Sequence, residues 1–64
     1  MLSKELIKGA KTKKALDWLE RKNKKDRDEI INNPNYKQSI KVKANKRYLK
    51  NLKLIRRMRR RIRN

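Results

Sequence analysis

The chain reads as an all-α protein of two or three helices with a long basic C-terminal helix, extended rather than globular and ordered on a partner. Three observations carry this reading. Apolar residues recur at helical spacing in both halves of the 64 residues. A single clear turn signal, Asn32-Asn33-Pro34-Asn35, separates those halves. The composition is 34 % hydrophobic and 45 % charged, with a net charge of +17. Such chains do not offset the entropy of ordering on their own, so stable folding in isolation is not expected.

The N-terminal half divides into short helical pieces. Ser3 is placed to cap the first, with Glu5 in its first turn. Leu2, Leu6, Ala10, Ala15, Leu16 and Leu19 roughly follow a 3.6-residue period. Gly9 weakens that pattern by ~1 kcal/mol relative to Ala, which suggests pieces at about 3–9 and about 12–24. Asp17 with Arg21, and Glu20 with Lys24, form favourable (i, i+4) pairs. Asp26-x-x-Glu29 is a variant capping box that opens one more turn, with Ile30 and Ile31 as its apolar side. Pro34 pushes Asn33 out of the α region, so helix ends there.

In the second half Ser39 is positioned to cap a helix beginning at Ile40. Ala44, Tyr48, Leu52, Ile55 and Ile62 fall on one stripe, with Leu49 and Met58 beside it. A helix from about 40 to 62 is ~34 Å long. The part from Ala44 to Leu52 is expected to pack on the N-terminal half through Leu16, Trp18 and Leu19. The part from Ile55 to Ile62 is expected to outrun that half and to need a partner.

Charge divides the chain at the same place. Residues 1–35, the N-terminal helical segment, hold ten Lys/Arg and all six acids, net +4. Residues 36–64, the basic RNA-binding helix, hold thirteen Lys/Arg and no acid, net +13. A solvated charged face mixes both signs, and 29 residues without an acid do not. Phosphate binding supplies the missing counter-charge and releases condensed ions. The candidate contacts are Arg21, Lys37, Lys41, Lys43, Lys46, Arg47, Lys50, Lys53, Arg56, Arg57, Arg59, Arg60, Arg61 and Arg63. Lysine dominates from 37 to 53 and arginine from 56 to 63. Arginine forks bridge two phosphate oxygens or stack on bases, where lysine acts as a point charge. Tyr36, just past the turn and beside Lys37, is a candidate for base stacking, with packing at the turn as the plainer alternative. Trp18 is expected in the core rather than on a base.

Other function classes find little support. There is no Cys and no His, which removes disulfides, thiolate metal sites and the commonest general base. Asp26, Asp28 and Glu29 cluster, but capping and pairing account for them. No Gly-rich phosphate loop or nucleophile–base pair is present. The chain is therefore expected to be no enzyme, with no catalytic residue, metal, cofactor or small-molecule substrate. No apolar run approaches the ~20 residues of a membrane span, and Met1–Ala10 lacks the apolar stretch of a secretory signal. A membrane-active cationic helix is disfavoured because charge surrounds most of the circumference.

Two blocks resemble a known family. Tyr36-Lys37-Gln38-Ser39-Ile40-Lys41-Val42-Lys43 is similar to a stretch of the twenty-first protein of the bacterial small ribosomal subunit. That family carries an aromatic, then Lys-Pro-Ser-Val-Lys-Arg-Lys, then a basic helix. Ala15-Leu16-Asp17-Trp18-Leu19-Glu20-Arg21 resembles its Ala-Leu-Arg-Arg-Phe-Lys-Arg helix at a comparable separation. The resemblance covers about 15–50. Gln38 stands at the family's proline, Asp17, Trp18 and Glu20 stand where it has basic residues and Phe, and Met1–Lys14 replaces its N-terminal strand. The resemblance implies two helices on the small-subunit platform, with Arg21, Lys41, Lys43 and Arg47 facing rRNA. The Ser39-Ile40-Lys41 start and Arg-rich end are also similar to the basic C-terminal segment of a small mitochondrial small-subunit protein.

The expected function is structural: a ribosomal protein, small subunit favoured, holding rRNA backbone through the basic helix and touching neighbouring ribosomal proteins. Its location would be the ribosome, cytoplasmic or mitochondrial. The rival class is a viral or phage protein acting on DNA, packaged genome or a host polymerase.

Overall fold

The computed structural model describes residues 2–62 and contains three helices, α1 (Lys4–Lys8), α2 (Lys13–Ile31) and α3 (Gln38–Arg61). The fold is all-α, with no strand among the described residues. The Cα atoms extend 42 × 15 × 15 Å, with a radius of gyration of 12.6 Å. A compact chain of this length has about 11 Å, so the molecule is elongated.

Side-chain caps start the first two helices. The Ser3 hydroxyl accepts from the Leu6 amide at 3.2 Å, and the Thr12 hydroxyl from the Ala15 amide at 3.1 Å. Each satisfies one of the orphan N–H groups of a helix start. Gly9 is the C-cap of α1 with φ −76° and ψ −10°, a right-handed conformation open to any residue. α2 then runs unbroken from Lys13 to Ile31, so the expected cap at Asp26-x-x-Glu29 does not exist. Asp26 instead accepts from Lys22 at 3.2 Å, one turn back on the same helix.

The chain reverses where expected. The Asn33 side chain accepts from the Asn35 amide at 2.9 Å, and the Asn33 carbonyl from the Tyr36 amide at 3.3 Å. Pro34 sits inside this Asx turn. α3 begins earlier than its serine signal. The Lys37 carbonyl accepts from Ile40 and Lys41 at 3.0 and 3.1 Å, which makes Lys37 the N-cap and leaves it without a side-chain cap bond. Ser39 is thus the second residue of the helix rather than its cap. At the other end Arg59, Arg60 and Arg61 occupy the last turn, where cations suit the helix dipole.

α2 and α3 pack antiparallel. Asn23 meets Tyr48 and Asn51, while Asp17 and Glu20 meet Arg59. α1 folds back onto the same end and packs on α3. The core is Leu2, Ile7, Ala10, Leu16, Leu19 and Ile55, with Ala15, Leu54, Met58 and Ile62 packed against it. The segment Ile55–Ile62 therefore does not outrun the N-terminal half. α1 covers it, and Ile55 is 0 % exposed.

Four expectations on facing are corrected. Ile7, not Leu6, is the buried residue of α1. Trp18 is 58 % exposed, because Leu16 and Leu19 already fill the inward arc of α2. Leu49 is half-exposed on the outer side of α3. Asp17 and Glu20 do not pair with Arg21 and Lys24. Both reach Arg59 Nη2 at 2.8 Å, because the hairpin brings a guanidinium between them.

Candidate nucleic-acid interface

Helical spacing sorts the cations of α3 into faces. Ala44, Asn51 and Ile55 point inward and are buried, with Tyr48 half-buried alongside. On one flank Lys43, Arg47, Lys50, Arg57 and Arg61 recur at three- to seven-residue intervals, one stripe along α3. From Lys43 to Arg61 this stripe is ~27 Å long.

α1 lies beside that stripe and adds to it. Lys4, Lys43, Lys46, Arg47 and Lys50 line one open groove with Glu5 and Asn51. Lys4, Lys8, Lys50, Lys53 and Arg57 line its continuation with Asn51 and Leu54. Lys8, Arg57 and Arg61 line a third stretch with Leu54 and Met58. The grooves share residues and follow the seam between α1 and α3. Glu5 is the one acid lining any of them. Repeated cations at one-turn spacing, with exposed side chains, suit a run of backbone phosphates.

Lys4 and Lys8 were absent from the sequence-based candidates. Their signal was present, since they stand four residues apart on one face of a capped helix. What sequence reasoning lacked was the docking of α1 beside α3.

The remaining candidates fall elsewhere. Arg56 and Arg60 are exposed on the outer side of α3, away from α2. Lys37 is exposed at the turn, and Lys41 lies half-buried in a hollow with Ile31, Gln38 and Val42. Tyr36 is 41 % exposed in the turn itself. Arg21 is exposed on α2 next to Asp17 and Glu20 and lines none of the grooves along the α1–α3 seam. Arg63 lies outside the described residues.

Arg59 is set apart by its contacts. Its guanidinium bridges two carboxylates of α2, so its charge is already met within the chain. Arg27 is similarly engaged: it bonds Asp28 at 2.9 Å and lies 4.0 Å over the Tyr48 ring. Asp17 and Glu20 of α2 thus serve the hairpin, Asp26 and Asp28 pair with Lys22 and Arg27 on α2 itself, and no acid of α2 lines the grooves of the α1–α3 seam.

Among the described residues no group of three or more His, Cys, Asp or Glu is arranged to hold a metal ion. No helix of the described chain is long and apolar enough to cross a membrane. Comparison with family models, with curated proteins and with solved structures finds no match to this chain.

Proposed function

We propose that the chain is a structural component of a large ribonucleoprotein, with the small ribosomal subunit as the favoured particle. It binds the rRNA backbone and carries out no chemistry on it. The observation that supports this most is the seam between α1 and α3, where Lys4, Lys8, Lys43, Arg47, Lys50, Arg57 and Arg61 line connected grooves with one acid among them. A backbone ligand needs no base-reading motif, and none was found in the sequence. The ribosomal assignment itself rests on the resemblance at 15–21 and 36–43. Neighbouring ribosomal proteins are the proposed protein contacts, and the ribosome, cytoplasmic or mitochondrial, is the proposed location.

The test is binding of the full chain to a folded rRNA fragment across a salt series. The logarithm of affinity should fall linearly with the logarithm of salt, by ~0.9 per phosphate neutralised on a duplex. A flat titration sinks the reading. Competition with duplex DNA separates the rival: preference for DNA would move the chain to the genome-binding class. Co-sedimentation of the tagged protein with ribosomal particles, lost after nuclease, tests the particle.

A further inference from the structure

Trp18 is the only tryptophan of the chain and is 58 % exposed. Its place on α2 is opposite in character to the core. Leu16, Leu19 and Asn23 are buried on the inward arc. Trp18 lies on the outward arc, where the residues one turn back, one turn on and two turns on are Lys14, Arg21, Lys22 and Lys25. All four are exposed. Lys22 is paired with Asp26, and the adjacent acids Asp17 and Glu20 are drawn to Arg59. None of the four cations lines the grooves along the α1–α3 seam.

We propose that Trp18 is a stacking platform for an unpaired nucleobase, with Lys14, Arg21 and Lys25 holding the phosphates on either side of it. This rests on the nucleic-acid reading above and extends it to a second face. The charge around the indole decides the occupant. An apolar protein surface laid on Trp18 would strip water from these cations and give them no partner. A single strand covers the ring with a base and meets the cations with phosphates. Stacking of this kind tolerates any base, because every base has a π face. The chain then holds a backbone along α1 and α3 and an unpaired strand along α2, and so joins two segments.

Because the tryptophan is unique, its fluorescence reports this site alone. The full chain is titrated with oligouridylate, a strand with little stacking of its own, and with a blunt RNA duplex. Binding is followed in parallel by anisotropy of labelled RNA. Oligouridylate should quench Trp18 along the same curve as the anisotropy. Trp18→Ala should weaken oligouridylate binding about five- to a hundred-fold and leave duplex binding within about twofold. Trp18→Phe should retain most of the affinity. Circular dichroism of both variants should match the parent, since the side chain lies outside the core. Binding by anisotropy with unmoved fluorescence, or unchanged oligouridylate affinity in Trp18→Ala, overturns the platform while leaving the backbone reading intact. Failure of both RNAs to bind overturns the two together.

Discussion

Asn51 of α3 donates its amide to Asn23 Oδ1 of α2 at 3.3 Å, in the middle of the hairpin, where the two residues are 4 % and 0 % exposed. The same amide group reaches the Leu2 carbonyl at 3.3 Å, and Asn23 donates to the Tyr48 carbonyl at 3.1 Å. No buried side-chain polar atom among the described residues lacks a partner. One asparagine pair therefore ties all three segments together. A buried polar pair contributes less than packed leucines, yet it penalises every register in which it is unpaired.

Replacing one member should cost more than replacing both. Asn51→Leu strands Asn23 and the Leu2 carbonyl and is expected to destabilise by ~1–3 kcal/mol. The double variant Asn23→Leu, Asn51→Leu removes the stranded pair and should recover part of that loss. Urea midpoints of the four proteins measure the coupling. Additive losses would show that the pair acts through bulk alone.

Ile55 is the inward anchor that Leu16 and α1 close over. Ile55→Ala is expected to cost ~2–5 kcal/mol. A chain this small rarely holds more than ~3–5 kcal/mol in its core. The variant should lose most of its helical circular dichroism at room temperature. Retention of the parent melting curve would contradict the core described above.

Gly9→Ala should stabilise. The backbone there is right-handed, and an added Cβ would meet the Glu5 carbonyl at 3.4 Å, an ordinary contact. Less entropy is then lost on folding, worth ~0.4–1 kcal/mol. A rise of a few degrees in melting temperature is the expected readout.

Arg57 and Arg59 are two residues apart and should behave differently on RNA. Arg57→Gln should reduce the salt slope of duplex binding by ~0.9. Arg59→Gln should leave the slope unchanged, because its guanidinium is held by Asp17 and Glu20. Its effect should fall on stability instead, at ~0.2–1 kcal/mol per partly exposed pair. Equal changes in slope would place Arg59 on the ligand.

Much of the architecture was legible in local signals. The Asn33-Pro34-Asn35 turn, the Ser3 cap and the period Ala44–Tyr48–Leu52–Ile55 act over four residues or fewer at a time, and propensity and capping read them directly. That lysine and arginine crowd α3 was legible for the same reason, but the sequence reading spread them around most of the helix, and only the docking of α1 singles out Lys43, Arg47, Lys50, Arg57 and Arg61 as one stripe. Ser39 misled because a serine near a helix start is a signal only if no earlier carbonyl collects the first bonds, and Lys37 does so here.

By itself the sequence determined that the chain is helical, where it reverses, and that charge leaves one half without acids. Each of these follows from neighbours along the chain. The tertiary structure alone decided which apolar residues are covered. Leu6 and Trp18 have the same claim to burial as Ile7 and Leu16 by composition, but the inward arcs have room for only one set. It alone decided that α1 closes over Ile55 and carries Lys4 and Lys8 to the basic seam. It also paired Arg59, a candidate phosphate contact by sequence, with Asp17 and Glu20 across α2 and α3. Those outcomes depend on groups up to 49 residues apart, as the Asn51 to Leu2 bond is, and local periodicity carries no information across that distance.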